Sequence, residues 1–111
     1  MDKLYFTSDY MEGAHPAILR RLAEGESYGY RINREVADLS HGAFELKEAT
    51  LYTAFRRLEA AGFIRSRWGD EMSGARRRYY TLTDAGRAKL FEDTDTWKNT
   101  RELLDLLLEE A

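Results

Sequence analysis

The sequence predicts a mainly α (α+β) fold, with short helices, a basic β-hairpin and one long terminal helix. Three observations predict it. Leu51, Phe55, Leu58 and Ala61 recur at helical spacing, Gly62 is placed to stop that helix, and Phe63-Ile64 begin a strand at once. Ile64, Ser66 and Trp68 alternate with Arg65 and Arg67, and the run 76–82 returns after the polar turn 69–75. Asp84 to Glu109 reads as one helix, with Leu90, Trp97 and Leu104 seven residues apart. That order is the order of a winged helix-turn-helix with a long C-terminal dimerisation helix.

The elements follow in order. Residues 1–7 read as an arm with no assigned secondary structure. Asp9 to Glu12 resembles a capping box, and Met11, Ala14, Ile18 and Leu22 mark a helix face. Pro16 removes a backbone donor, so this helix starts near Pro16 or kinks there. Gly25 ends it. Ser27 is placed to cap the next helix, whose buried face is Tyr28, Ile32, Val36 and Leu39. Residues 40–43 are a loop, and Phe44-Glu45-Leu46 a very short strand. Thr83 caps the last helix, with Asp84 in its first turn. Residues 1–83 then make the winged-helix part and 84–111 the dimerisation helix. The tail is too long to fold back over so small a domain, so its stripe packs on a second copy of the chain.

At 111 residues and one third charged, the chain is a single soluble domain. It has no cysteine, no segment of membrane-spanning length and no signal-peptide pattern, which together predict a cytoplasmic protein that touches no membrane. The net charge of −3 conceals a gradient. Residues 41–89 hold ten Lys/Arg against six Asp/Glu, whereas 90–111 hold two against seven. Positive charge therefore gathers on the central helix and hairpin, as a DNA-facing surface requires.

Thr50, Tyr52 and Thr53 open the central helix, where hydroxyls meet phosphates and a threonine methyl meets thymine. Tyr52 also suits packing between helices. Lys47, Arg56 and Arg57 are candidate phosphate clamps or solvated charges. Arg76, Arg77 and Arg78 follow Gly74 in the wing, where at least one must fall on each strand face. DNA contact accounts for them, and so does charge that protects an edge strand. His15 and His41 lack metal-ligand spacing, Ser27 and Ser73 lack a partner base, and no Gly-rich phosphate loop is present. No enzyme, metal or cofactor is expected.

Several motifs are denser than the fold requires. Thr50-Leu51-Tyr52, Arg57-Leu58-Glu59, Gly62-Phe63-Ile64 and the wing Gly74 to Thr83 followed by Gly86 resemble the signature of the PadR family of transcriptional regulators. Tyr28-Gly29-Tyr30 also fits, which adds Tyr28 to the DNA-contacting set. The single tail helix resembles the small-subunit branch, which includes multidrug-sensing repressors. The resemblance implies a homodimeric repressor on an inverted-repeat operator in double-stranded DNA. It also implies a planar aromatic effector held at the dimer centre by a tryptophan from each tail helix. Trp97 stands at that position, although a tryptophan in a helix stripe also serves as plain dimer core. Glu12, Pro16, Asp93 and Arg101 would surround it and make the pocket more charged. The alternative is a winged-helix protein-interaction module without DNA binding.

Overall fold

The computed structural model describes the backbone of residues 4–6, 11–69 and 76–109, and within these the side chains from residue 14 onward. The elements are β1 (Leu4–Phe6), α1 (Met11–Leu22), β2 (Ser27–Tyr28), α2 (Gly29–Leu39), β3 (Phe44–Leu46), α3 (Glu48–Ala60), β4 (Ile64–Trp68), β5 (Arg78–Leu82) and α4 (Asp84–Leu108). The mainly helical winged-helix class is as expected from the sequence.

The core is built where the helical spacings pointed. Ala14, Ile18, Leu19 and Leu22 of α1 meet Ile32 and Val36 of α2, and Leu51, Ala54, Phe55 and Leu58 of α3. Ile64, Tyr80 and Leu82 close this cluster from the sheet. Phe55 stacks on Tyr80 with ring centroids 3.9 Å apart. That stack joins α3 to the hairpin, a contact between distant parts of the chain that sets their relative position.

Gly62 ends α3 by a complete Schellman motif. The Phe63 N–H donates to Leu58 O at 2.9 Å and the Gly62 N–H to Glu59 O at 3.0 Å, with Gly62 at φ +81°. The turn delivers the chain straight into β4. Thr83 caps α4: its Oγ1 accepts from the Gly86 N–H at 3.0 Å and donates to Gly62 O at 2.7 Å. The α4 cap is thereby tied to the α3 stop. At Gly86 a Cβ would collide with the Phe63 carbonyl oxygen, so the absent side chain lets α4 start against that turn.

Two expectations are sharpened and two are corrected. Within the arm, Leu4–Phe6 form β1, which pairs with β3 in parallel. Pro16 lies inside α1, which begins at Met11, so the helix does not start at Pro16. The proposed capping residues before it lie outside the described residues. Ser27 does not cap α2. It sits in β2 opposite Tyr80, and the N-cap is Tyr28, which makes no side-chain cap bond. Leu39 is 62% exposed rather than buried, because α2 is held instead at Asn33. The Asn33 amide donates to Leu46 O at 2.8 Å and accepts from the Leu46 N–H at 2.9 Å, which pins α2 to β3.

The second sheet has the order β2-β5-β4. Ile64 pairs with Leu82, Ser66 with Tyr80 and Trp68 with Arg78. Alternation puts Ile64, Ser66, Trp68, Arg78, Tyr80 and Leu82 on the face toward α3. Arg65, Arg67 and Tyr79 take the outer face. The helix α4 packs on α1 and extends the particle to 61 Å in its longest dimension. No helix among the described residues is long and apolar enough to cross a membrane.

Candidate nucleic-acid interface

The α3 face opposite the core is the starting point. Leu51, Ala54, Phe55 and Leu58 are buried, so the 3.6-residue repeat turns Ala49, Thr53 and Ala60 outward. Tyr52 and Arg56 flank that line on one side, and Thr50 and Arg57 on the other. Tyr52 is 44% exposed and meets Phe55 edge-to-face at 6.0 Å. The Thr53 hydroxyl accepts from Arg56 at 3.3 Å. Lys47 is the exposed N-cap residue of the same helix.

The wing arginines are ordered by aromatic rings. Arg77 lies 4.6 Å from the centre of the Tyr28 ring. Arg76 and Arg78 lie 5.7 and 5.5 Å from the Trp68 ring centre. Guanidinium planes stack on such faces at little cost in hydration. Behind them, Arg67 forks onto Glu26 at 2.9 and 2.6 Å, and Thr81 donates to the same carboxylate at 3.3 Å. The Arg67 hydrogen bond, the largest influence, holds the Glu26 carboxyl below its usual range against an opposing desolvation effect.

Between α2, α3 and the hairpin lies an open cleft of about 610 Å³. Tyr28, Tyr52, Arg76, Arg77 and Arg78 line it together. Five residues expected from the sequence, drawn from three separate stretches of chain, thus share one surface. Thr50, Thr53, Arg57 and Lys47 are not part of that lining and belong to the outer and far side of α3. Gly74 lies outside the described residues. The cleft also holds Arg56, weighed above as a phosphate clamp or a solvated charge, and Tyr30, Glu59 and Trp68, which were not among the expected contacts. Trp68 was legible only as one apolar position of an alternating strand. At the strand end it is 53% exposed and serves as the plate for two arginines.

The expected effector residues sit on α1 and α4. Pro16 is half-buried, and Trp97 and Arg101 are exposed. Asp93 is half-buried and pairs with Lys89 at 3.0 Å. The side chain of Glu12 lies outside the described residues. Among the described residues, no three His, Asp or Glu side chains group as metal ligands.

A basic, aromatic-lined face built from a helix and a wing defines a winged-helix nucleic-acid-binding protein. Comparison with known proteins makes the class specific. The model of the Transcriptional regulator PadR-like family matches residues 18–92, and the chain belongs to that family. It is 38% identical over 76 residues to a transcriptional regulator of Mycobacterium tuberculosis, covering 68% of this chain and 67% of that protein. A transcriptional regulator from Clostridium thermocellum superposes with a TM-score of 0.80 at 36% identity, covering 88% of this chain and 96% of that one. A PadR family transcription regulator from Clostridium difficile gives 0.75 at 33% identity, over 85% and 96%. The chain is therefore a transcriptional regulator of a DNA-binding repressor family, and not an enzyme. The family does not favour the reading as an interaction module without DNA binding.

Proposed function

We propose that the chain is a homodimeric repressor of the small-subunit kind, released from an inverted-repeat operator by a small molecule. In this reading residues 1–83 read DNA and 84–111 join the two copies. Thr50, Tyr52 and Thr53 enter the major groove, with Lys47 and Arg57 on flanking phosphates. Tyr28, Arg76 and Arg77 meet the backbone beside the wing. The observation that carries the proposal is the cleft that unites Tyr28, Tyr52 and the wing arginines beside the exposed start of α3.

Capture and sequencing of genomic fragments by the purified protein tests it. An inverted repeat with half-sites about one helical turn, ~10 bp, or a multiple apart is the expected result. Failure to enrich any DNA at low salt would remove the proposal.

The effector part rests on Trp97, which stands 64% exposed on an amphipathic helix. Two such indoles at a dimer centre would sandwich a planar aromatic molecule. Asp93 and Glu12 favour a cationic ring system, and Arg101 opposes it. In a Trp68→Phe variant, a planar cationic dye should quench Trp97 fluorescence and weaken DNA binding together. Linkage requires DNA to weaken the dye by the same factor. Quenching without any change in DNA affinity would reduce Trp97 to dimer core.

A further inference from the structure

We infer that Arg78, Glu59 and Ser66 form a brace that sets the angle between α3 and the wing, so that Arg78 is a positioning residue and not a phosphate contact. The inference rests on the DNA-binding reading above and assigns a role within it.

The geometry is a closed ring of hydrogen bonds. Arg78 Nη2 donates to Ser66 Oγ at 2.8 Å and to Glu59 Oε1 at 3.2 Å. Ser66 Oγ in turn donates to Glu59 Oε2 at 2.5 Å. The three residues come from three elements: the end of α3, the middle of β4 and the start of β5. Strand alternation puts Ser66 and Arg78 on the inner face, toward Glu59. The Arg78 guanidinium also lies 5.5 Å from the Trp68 ring centre and 5.9 Å from that of Tyr80. A planar guanidinium suits this many partners in fixed directions, as a lysine would not.

Charge separates Arg78 from Arg76, two residues earlier. The Glu59 carboxylate cancels the Arg78 charge, so the pair releases no net counterions from DNA. Arg76 contacts the Gly69 carbonyl oxygen at 3.4 Å and has no acid paired with it among the described residues. Its charge remains for phosphate. A helix and a wing that dock together need a fixed separation, and supporting hydrogen bonds between rigid elements provide it.

Salt titration of binding to the captured duplex tests the brace. Arg78→Ala should weaken binding about tenfold, in the range of coupled neighbours. It also strands the Glu59 carboxylate, so the slope of log K against log salt is read in the charge-neutral double variant Glu59→Gln with Arg78→Ala, which should keep the wild-type slope. Arg76→Ala should lower that slope by about 0.9. Ser66→Ala removes one oxygen, keeps all charges and should weaken binding in the same sense. The double variant Glu59→Gln with Arg78→Ala should bind no worse than the weaker single variant. Thermal melts confirm that each variant is folded, and Ser66→Ala decides the matter if Arg78→Ala is not. A slope loss of about 0.9 in the double variant Glu59→Gln with Arg78→Ala would make Arg78 a phosphate contact and overturn the brace. So would wild-type affinity in both Arg78→Ala and Ser66→Ala. A wild-type chain that binds no DNA overturns the functional reading itself.

Discussion

Among the described residues, the apolar faces of α1, α3 and the hairpin bury one another, whereas the apolar residues of α4 beyond Leu90 do not. In the winged-helix body, α1, α2, α3 and the hairpin converge on one cluster in which Phe55, Ile18, Leu22, Ile32 and Ile64 are almost fully buried. From Phe91 to the end of α4, Phe91, Trp97, Leu103, Leu104, Leu106, Leu107 and Leu108 are all exposed. Both regions are helical with apolar spacing, yet one finds partners in its own chain and the other does not. An apolar patch of this kind marks an interaction surface. In the proposed homodimer the body carries its own stability, whereas the tail would derive its stability from association.

Substitutions in the two regions should therefore fail in different ways. The largest effect is expected in the tail. Replacing Leu103 and Leu107 together by Asp should cost roughly 3–6 kcal/mol of association, the burial energy of two leucines. Sedimentation should then show the 12.9 kDa monomer while circular dichroism still shows a folded body. A variant that stays dimeric would move the interface elsewhere.

Phe55→Ala is the matching lesion in the body. Its ring is buried and stacked on Tyr80, so its loss should cost about 3–5 kcal/mol. The urea midpoint should fall without gaining any dependence on protein concentration. A concentration-dependent loss would mean that the body, too, is stabilised by the partner.

Thr83→Ala probes the joint between the regions. It removes the α4 cap and the bond to Gly62 O, at a cost of about 1 kcal/mol. The loss should appear as a lower melting temperature with the dimer intact. An unchanged melt would show that the cap is dispensable.

The smallest effect is electrostatic and confined to the body. Glu26 has a depressed pKa in the folded state, chiefly through Arg67. Its contribution is in place above the ordinary carboxylate range and is lost as pH falls through the folded value. Arg67→Ala should therefore be less stable than wild type near neutrality, and the two urea midpoints should converge in acid. A gap that is constant with pH would assign the loss to packing of Arg67 on Tyr79, 4.8 Å away.

Much of this organisation could be read from local pattern. The α3 stop at Gly62, the Thr83 cap and the alternation of β4 each depend on residues within one turn or one strand. Other features were misread for a consistent reason. Ser27 has the chemistry of an N-cap, but β5 recruits it as a strand residue opposite Tyr80. Leu39 has the right spacing to be buried, but the last turn of α2 runs past the core while Asn33 holds the helix to β3. Trp68 reads as a half-buried strand residue, and its role as a plate depends on arginines that return from across the hairpin turn.

The sequence by itself determined the order of elements, the capping points, the apolar faces and the family motifs, because each is encoded over a few neighbouring residues. The tertiary structure alone decided that Tyr28, Tyr52 and the wing arginines share one cleft, and that Arg78 closes on Glu59 and Ser66. Those partners lie 19 and 12 residues from Arg78 in sequence. Three adjacent arginines look alike in one dimension. Strand alternation and the position of a single carboxylate on α3 give them different surroundings in three.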